Sequence, residues 1–527
     1  MTTQPHSLRA TAAVLLASVF FLPSAGAQAT DDRVEHQVLL ELTPGISIEP
    51  IAQRHDVIVL EGIPQWRIWL VRATPRPRNE MDALVDQMRQ DPDIMDAEPH
   101  RHMESPEGVQ RSLSDIDLTV TASAFRNQDA TAIVGTDPAH ASYTGRGVTV
   151  AVLDTGMALG HPETSSRILG PGVDFASGGD TAAPQSNGFD DDWDGLVDES
   201  AHHGTHVTGL INLAAPDTRV VPVRILETDG KGTTFALAKG ILHAMSKGAD
   251  VINLSLSMQH DSKIVQRAIE DAESAGVVVV ASAGNRGLNG VDFPAYLPCV
   301  ITVAAADGNL RKAGFSSYGT QVALSAPGVD LLSTHGNENY AWWSGTSFAT
   351  PLVTGGAALI LEKYPGLSPQ EVKDLLRSTA RPDNNPPGLD GLMGGGVLDL
   401  DALARVLTTD RASLETSRDS LGTVFRWSAV LDANLYDVAR GDVANLFLDP
   451  APEGLKDTVE LGSLTCIADD TVETDTGTFP DPDIPAPGQA FFYVFRDDAP
   501  DPEARSYGAD DDGHRRLAGG MDCPPNG

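Results

Sequence analysis

From about Thr144 to Leu407 the chain repeats one alternation: a short run of β-branched and small apolar residues, then a stretch with apolar residues at helical spacing. The runs are GVTVAVLD (Gly147 to Asp154), RVVPVRIL, DVINLSL (Asp250 to Leu256), GVVVVASAG (Gly276 to Gly284) and CVITVAA, and FALAKGILHAMSKG is one of the helical stretches between them. A strand that is apolar on both faces meets water on neither, so it belongs in a sheet covered by helices on each side, and helix-length connections make its neighbours parallel. The pattern predicts an α/β unit, a parallel sheet flanked by helices. In such a sheet ligands bind at the carboxyl ends of the strands.

That unit fills only part of the chain. At 527 residues the sequence is too long for one core and divides into about three or four folded units. With 41% apolar and 21% charged residues it is globular. A formal net charge of −36 excludes nucleic acid and anionic membranes as partners, because both require a basic footprint, and makes cations the natural companions. Residues 1–29 read as a signal peptide: Arg9 in a short n-region, an apolar run from Ala12 to Leu22, and small residues at Ala25, Ala27 and Ala29 for a peptidase. No later apolar stretch reaches membrane-spanning length. The expected protein is exported, secreted or periplasmic, and soluble. Export also favours a disulfide between Cys466 and Cys523, whereas Cys299, inside an apolar run, is expected as a buried free thiol.

Three polar motifs interrupt the apolar framework. VAVLDTG sets Asp154 at the carboxyl end of the first strand, where an aspartate serves as a turn former or as a functional group. DESAHHGTHVTGL crowds His202, His203 and His206 into five positions. On a helix two pairs of them share a face, which suits a metal, a structural cluster, or one base with two bystanders; the glutamate of an H-E-x-x-H zinc motif is missing. SGTSFATP (Ser344 to Pro351) sets Ser347 at the start of an apolar helical run, either as a cap or where free backbone N–H groups face a developing oxyanion.

Together DTG, HGTH and GTSFATP occur in the chain order Asp, His, Ser, which differs from that of chymotrypsin-like and α/β-hydrolase enzymes and resembles that of the subtilisin-like serine proteases, or subtilases. The resemblance implies a serine endopeptidase with Asp154, His203 and Ser347 as the triad, Asn285 of ASAGN as oxyanion donor, and an extended peptide bound along Ser255, Leu256 and Ser257 and along Ala281, Ser282, Ala283 and Gly284. Ser257 and Met258 stand where many members have two glycines. It implies protein or peptide substrates, no organic cofactor, and a monomer.

Residues 30–103 are expected to form a small α+β unit in the order strand, helix, two strands, helix, strand, with QVLLEL and WRIWLV as strands and NEMDALVDQMRQ as a helix. The unit, ending in DPDIMDAEPHRHM, resembles the subtilase propeptide, which implies an intramolecular inhibitor removed on maturation, so that the chain is an autoprocessed zymogen. A linker over 104–145 leads into the catalytic unit, 146–407. Within that unit GFDDDWDGLVDE places Asp190, Asp192 and Asp194, the Leu196 carbonyl and Asp198 as the start of an EF-hand loop, but Ala201 stands at the twelfth position. A partial structural calcium loop, a solvated acidic turn and a substrate-repelling patch are all compatible with it. The acidic tail, 408–527, holds strand-like TVFRWSAV, LYDVARG and QAFFYVFRD, with Trp427, Tyr436 and Phe492 as core candidates for a small β-sandwich. YDVARG, FFYVFR, SYG and the last cysteine make it resemble fibronectin type III-like modules of exported bacterial proteins.

Overall fold

The computed structural model describes residues 32–408, apart from 109–114, 117–119, 190–195 and 390, together with the backbone of eight strands between 414 and 517. The alternation read in the sequence folds as predicted. Seven strands form one sheet in the order Leu324–Pro327, Val300–Ala306, Val278–Ser282, Val251–Leu254, Thr149–Asp154, Arg219–Arg224, Val173–Asp174. Every neighbouring pair is parallel.

The two-residue pleat sends alternate side chains to opposite faces. Val150 and Val152 pack with Val207 and Leu210 of the helix His203–Ala214 and with Leu352 and Val353 of the helix Thr346–Lys363. Ala151 and Leu153 pack on the other face, with Ile241 of the helix Thr234–Ser246 and Val265 and Ile269 of the helix Lys263–Ser274. Burial on both faces is why these strands read as continuous apolar runs. Successive strands lie to one side of Thr149–Asp154 up to residue 224 and to the other side from residue 251 onward. The topological switch therefore falls beside Asp154, where the connections diverge and leave a cleft.

The N-terminal unit has the expected element order: strand Arg33–Leu42, helix Ile48–Arg54, strands Val57–Ile63 and Ile68–Ala73, helix Arg78–Arg89, strand Ile94–Glu104. One boundary shifts. Trp66 closes a short 3-10 turn begun by Pro64, and Arg67 takes a left-handed conformation (φ 58°), so the strand starts at Ile68. The four strands are antiparallel. Val38, Leu40 and Leu42 face the unit's own helices through Ile48, Ile51, Leu84, Val85 and Met88. Leu39, Ile68 and Leu70 point the other way, onto Phe235, Ala238 and Leu242 of the catalytic unit.

Polar contacts add direction to that apolar docking. The Glu98 carboxylate accepts from Ser262 Oγ and from Lys263 N (2.8 Å) at the first turn of the helix Lys263–Ser274, where the helix dipole favours an anion. Burial pushes the Glu98 carboxyl up, so this anion depends on those donors. The strand Ile94–Glu104 then runs out of its own sheet: His102, Met103 and Glu104 pair antiparallel with Thr233, Gly232 and Lys231.

Beyond residue 408 the strands form three small sheets: Leu414–Arg418 with Thr423–Trp427; Thr465–Thr471, Tyr436–Asp442 and Phe491–Asp497; and Phe447–Asp449, Thr458–Glu460 and Arg515–Leu517. Trp427, Tyr436 and Phe492 lie on these strands, as does Cys466, while Cys523 and the signal segment 1–29 lie outside the described residues. Cys299 is unpaired and half-buried rather than buried, with its thiol pushed up to about 11 by burial. Among the described residues no helix is long and apolar enough to cross a membrane.

Candidate active site

Asp154 is the last residue of its strand, and His203 is the first residue of the helix His203–Ala214. His203 Nδ1 lies 2.8 Å from Asp154 Oδ1, which also accepts from Thr155 N at 2.7 Å. Asp154 Oδ2 is buried without a partner, so balance of the anion falls on the imidazole. The close approach needs Gly204: a Cβ there would stand 2.2 Å from Gly156 O and 2.9 Å from Asp154 Cβ. This is the physical reason for glycine inside HGTH.

Ser347 is the second residue of the helix Thr346–Lys363, not its cap. Pro351 in that helix has no N–H to donate to the Ser347 carbonyl four residues back. Ser255 Oγ donates to that carbonyl instead (2.8 Å), tying the Ser347 turn to the end of a central strand. Asn285 follows the strand Val278–Ser282, and its Oδ1 accepts from Thr346 N (3.0 Å) and Thr346 Oγ1 (2.9 Å). Both donors go to one end of the amide, which fixes its orientation and turns Nδ2 toward Ser347. Ser347 is fully buried, and Asn285 is nearly so.

All three groups meet one carboxylate that the sequence reading missed. Glu107 Oε2 accepts from Ser347 Oγ at 2.8 Å and lies 3.1 Å from His203 Nε2, while Glu107 Oε1 accepts from Asn285 Nδ2 at 2.9 Å. Burial alone pushes the His203 imidazolium down, but Asp154 on one side and Glu107 on the other outweigh it and hold its pKa up at about 10. No local spacing in SPEG marks Glu107; only the path of the N-terminal strand brings it here.

The remaining histidines resolve the cluster. His206 Nε2 lies 3.1 Å from Ala341 O and 3.2 Å from Leu331 O, its ring stacks on Trp343, and burial pushes its pKa down to about 3. It is a neutral packing residue. His202 precedes the helix, with its ring 4.5 Å from that of His335. Among the described residues no group of three or more His, Cys, Asp or Glu is arranged to hold a metal.

Of the expected peptide-binding residues, Ser257 pairs with the N-terminal strand: Ser257 N donates to Glu104 O (3.1 Å) and Glu104 N to Ser257 O (3.4 Å). Ser105 N donates to Gly230 O (3.0 Å), so the facing edge runs from Gly230 to Thr233, which the sequence reading did not single out. Leu256 is buried, and its carbonyl accepts from Ser282 Oγ (3.1 Å). Ala281 and Ser282 pair inward with Thr302 and Val303, Ala283 N donates to Val303 O, and Gly284 turns with φ 97°. Of the expected calcium ligands, Asp190, Asp192 and Asp194 lie outside the described residues. The Asp198 carboxylate accepts from Asn187 N (3.1 Å), Gly188 N (2.9 Å) and Thr228 Oγ1, an anchor for the loop.

Residues 145–396 match the model of the subtilase family. The chain is 36% identical over 276 residues to Subtilisin DY of Bacillus licheniformis, covering 50% of this chain and 93% of that protein. It is 29% identical over 382 residues to a thermostable alkaline protease of Halalkalibacterium halodurans, covering 71% of this chain and 92% of that one. Among solved structures, fervidolysin from Fervidobacterium pennivorans, described as a keratinolytic enzyme related to subtilisin, shares the fold with a TM-score of 0.59 over 79% of this chain and 72% of that chain, at 23% identity.

The two carboxylates around His203 have a measurable consequence. In full-length chain carrying Ser347→Ala, the His203 ring N–H signals in NMR are expected to persist to about pH 10. Because the folded pKa is raised, the stabilisation is complete below the ordinary histidine value of about 6.5 and is lost as pH rises through about 10. Adding Glu107→Gln should move the titration down; a His203 titration near pH 6.5 with Glu107 intact would refute this account.

Proposed function

The chain belongs to the subtilase family and is a serine endopeptidase, and from that premise we propose that Asp154, His203 and Ser347 carry peptide-bond hydrolysis, with Asn285 as an oxyanion donor, in an exported zymogen. The observation that carries the reading is the convergence on one carboxylate oxygen of Ser347 Oγ (2.8 Å) and His203 Nε2 (3.1 Å), with Asn285 Nδ2 on its partner oxygen. Three elements distant in sequence meet there.

With that carboxylate gone, His203 Nε2 takes the proton of Ser347 Oγ as the oxygen attacks the scissile carbonyl. Asp154 Oδ1 holds the Nδ1–H tautomer and stabilises the imidazolium that forms. Asn285 Nδ2 donates to the oxyanion; its orientation by Thr346 lets it do so without reorganisation. The imidazolium protonates the leaving amine, the peptide's carboxyl side remains as an acyl-serine, and water then hydrolyses the ester by the same base. An extended substrate pairs with Ser255 to Ser257 on one side and the Gly230 to Thr233 edge on the other, as Glu104 and Ser105 do, a form of strand addition that reads main chain.

Residues 1–29 serve as the export signal, and residues 30–103 form the propeptide: their docked apolar face and their last strand in the cleft suit an inhibitor that leaves on maturation. Residues 408–527 form an accessory module. Structural calcium, if bound by GFDDDWDGLVDE, rests on Asp190, Asp192, Asp194 and the Leu196 carbonyl, because Asp198 already accepts three hydrogen bonds of the roughly four a carboxylate can take.

Intact mass and N-terminal sequencing of wild type beside Ser347→Ala test the central reading. Wild type should lose its first hundred or so residues and bind a serine-directed fluorophosphonate, while the variant stays full length and unlabelled; equal trimming of both would remove the support for self-processing. In matured enzyme Asn285→Ala should lower kcat by roughly 10²–10³ with the fold intact, and near-normal turnover would defeat the oxyanion assignment. For calcium, Asp192→Ala should reduce the drop in melting temperature caused by a chelator; an undiminished drop would assign the dependence to another site.

A further inference from the structure

Glu107 is not needed for the chemistry proposed above, yet it fills the centre of the site. Its side chain is about nine-tenths buried, with 10% exposed. Both oxygens are engaged, Oε2 by Ser347 Oγ with His203 Nε2 beside it, and Oε1 by Asn285 Nδ2. Space for it is left by Gly345, where a Cβ would fall 1.9 Å from Glu107 Oε1. Glu107 Oε1 thus accepts the Asn285 Nδ2 hydrogen bond that a developing oxyanion would take.

The residue before it explains why a side chain, and not a carbonyl, arrives there. Met103 is buried against Gly232, Glu104 pairs with Ser257, and Ser105 N donates to Gly230 O, so the strand advances toward Ser347 one bond at a time. In that antiparallel register Ser255 O is next in line for the N–H of residue 106. Pro106 has no N–H. Ser255 O instead lies 3.3 Å from Ser347 Oγ, whose single proton goes to Glu107 Oε2, and the chain leaves the ladder in a 3-10 turn, Pro106–Gly108.

We infer that Pro106 and Glu107 form a built-in stop and plug: Pro106 ends strand pairing one residue short of the nucleophile, and the Glu107 carboxylate occupies the oxyanion position, holding the uncut chain unreactive. The inference rests on the serine-peptidase reading. It differs from simple blockage of the cleft by a peptide, because it assigns the silence of Ser347 to one side chain. Opening the site requires only that this pair withdraw; the N-terminal unit can stay docked through Leu39, Ile68, Leu70 and Glu98.

The test follows Ser347 labelling by a fluorophosphonate in full-length chain, with intact mass read at each time so that only uncut protein is scored. Glu107→Ala and the near-isosteric Glu107→Gln are compared with wild type, and unchanged melting shows that each is folded. Both should label faster than wild type by roughly 10- to 100-fold, the factor for losing one charge-assisted hydrogen bond. Pro106→Ala should restore the missing N–H and speed cleavage between residues 106 and 107, giving a new N-terminus at Glu107. Wild-type labelling rates in both folded Glu107 variants would overturn the plug. Wild type freed of its N-terminal segment is the control: if that form also fails to label, the serine-peptidase reading falls, and the plug with it.

Discussion

A buried imidazole flanked by two carboxylates organises this molecule. His203 has Asp154 2.8 Å from Nδ1 and Glu107 3.1 Å from Nε2. Burial of a charge is unfavourable unless partners surround it. Here the partners come from a strand end and from the N-terminal tail: the sheet and the His203–Ala214 helix position the ring through Asp154, and the docked tail adds a second carboxylate on its other nitrogen. Glycines at 204 and 345 leave the room for those approaches, which ties the local sequence to the long-range packing.

A second layer of polar contacts holds the reactive groups where the backbone's own hydrogen bonding stops. Pro351 deprives the Ser347 carbonyl of its helical donor, and Ser255 supplies one. The Asn285 amide would be free to flip in a loop, but two donors from Thr346 settle which end faces the cleft. In both cases a side chain near one reactive element satisfies an atom of another. The helix carrying Ser347 and two neighbouring strand ends are thereby tied together, the condition for a site that stabilises charge without rearranging.

The N-terminal unit shows how a single strand can serve two cores. Val38, Leu40 and Leu42 close the unit's own interior, and Leu39 between them faces Phe235 across the docking surface. The last strand then leaves its sheet to pair along the cleft and ends at Pro106. Docking is broad and apolar, whereas the contact with the reacting groups is one charged side chain. Docking of the unit and its contact with Ser347 therefore reside in different residues.

Much of this was legible in the chain. Apolar runs of β-branched residues reveal a two-sided parallel sheet because the pleat buries both faces, and the motifs DTG, HGTH and GTSFATP in that order resemble those of the subtilases, which is what singles out Asp154, His203 and Ser347. In the cluster of three histidines spacing alone is ambiguous and the HGTH motif singles out His203; the fold adds the places of all three, His203 on Asp154, His206 stacked on Trp343, His202 outside the helix. Periodicity and motifs are local, so they determine element type, face and chain order. Glu107, the Gly230 to Thr233 edge and the Thr346 clamp on Asn285 join residues up to 240 positions apart, as Glu107 and Ser347 are. No local pattern encodes such a meeting. Only the packed tertiary structure decides it, because a hydrogen bond reports distance in space and not separation along the chain.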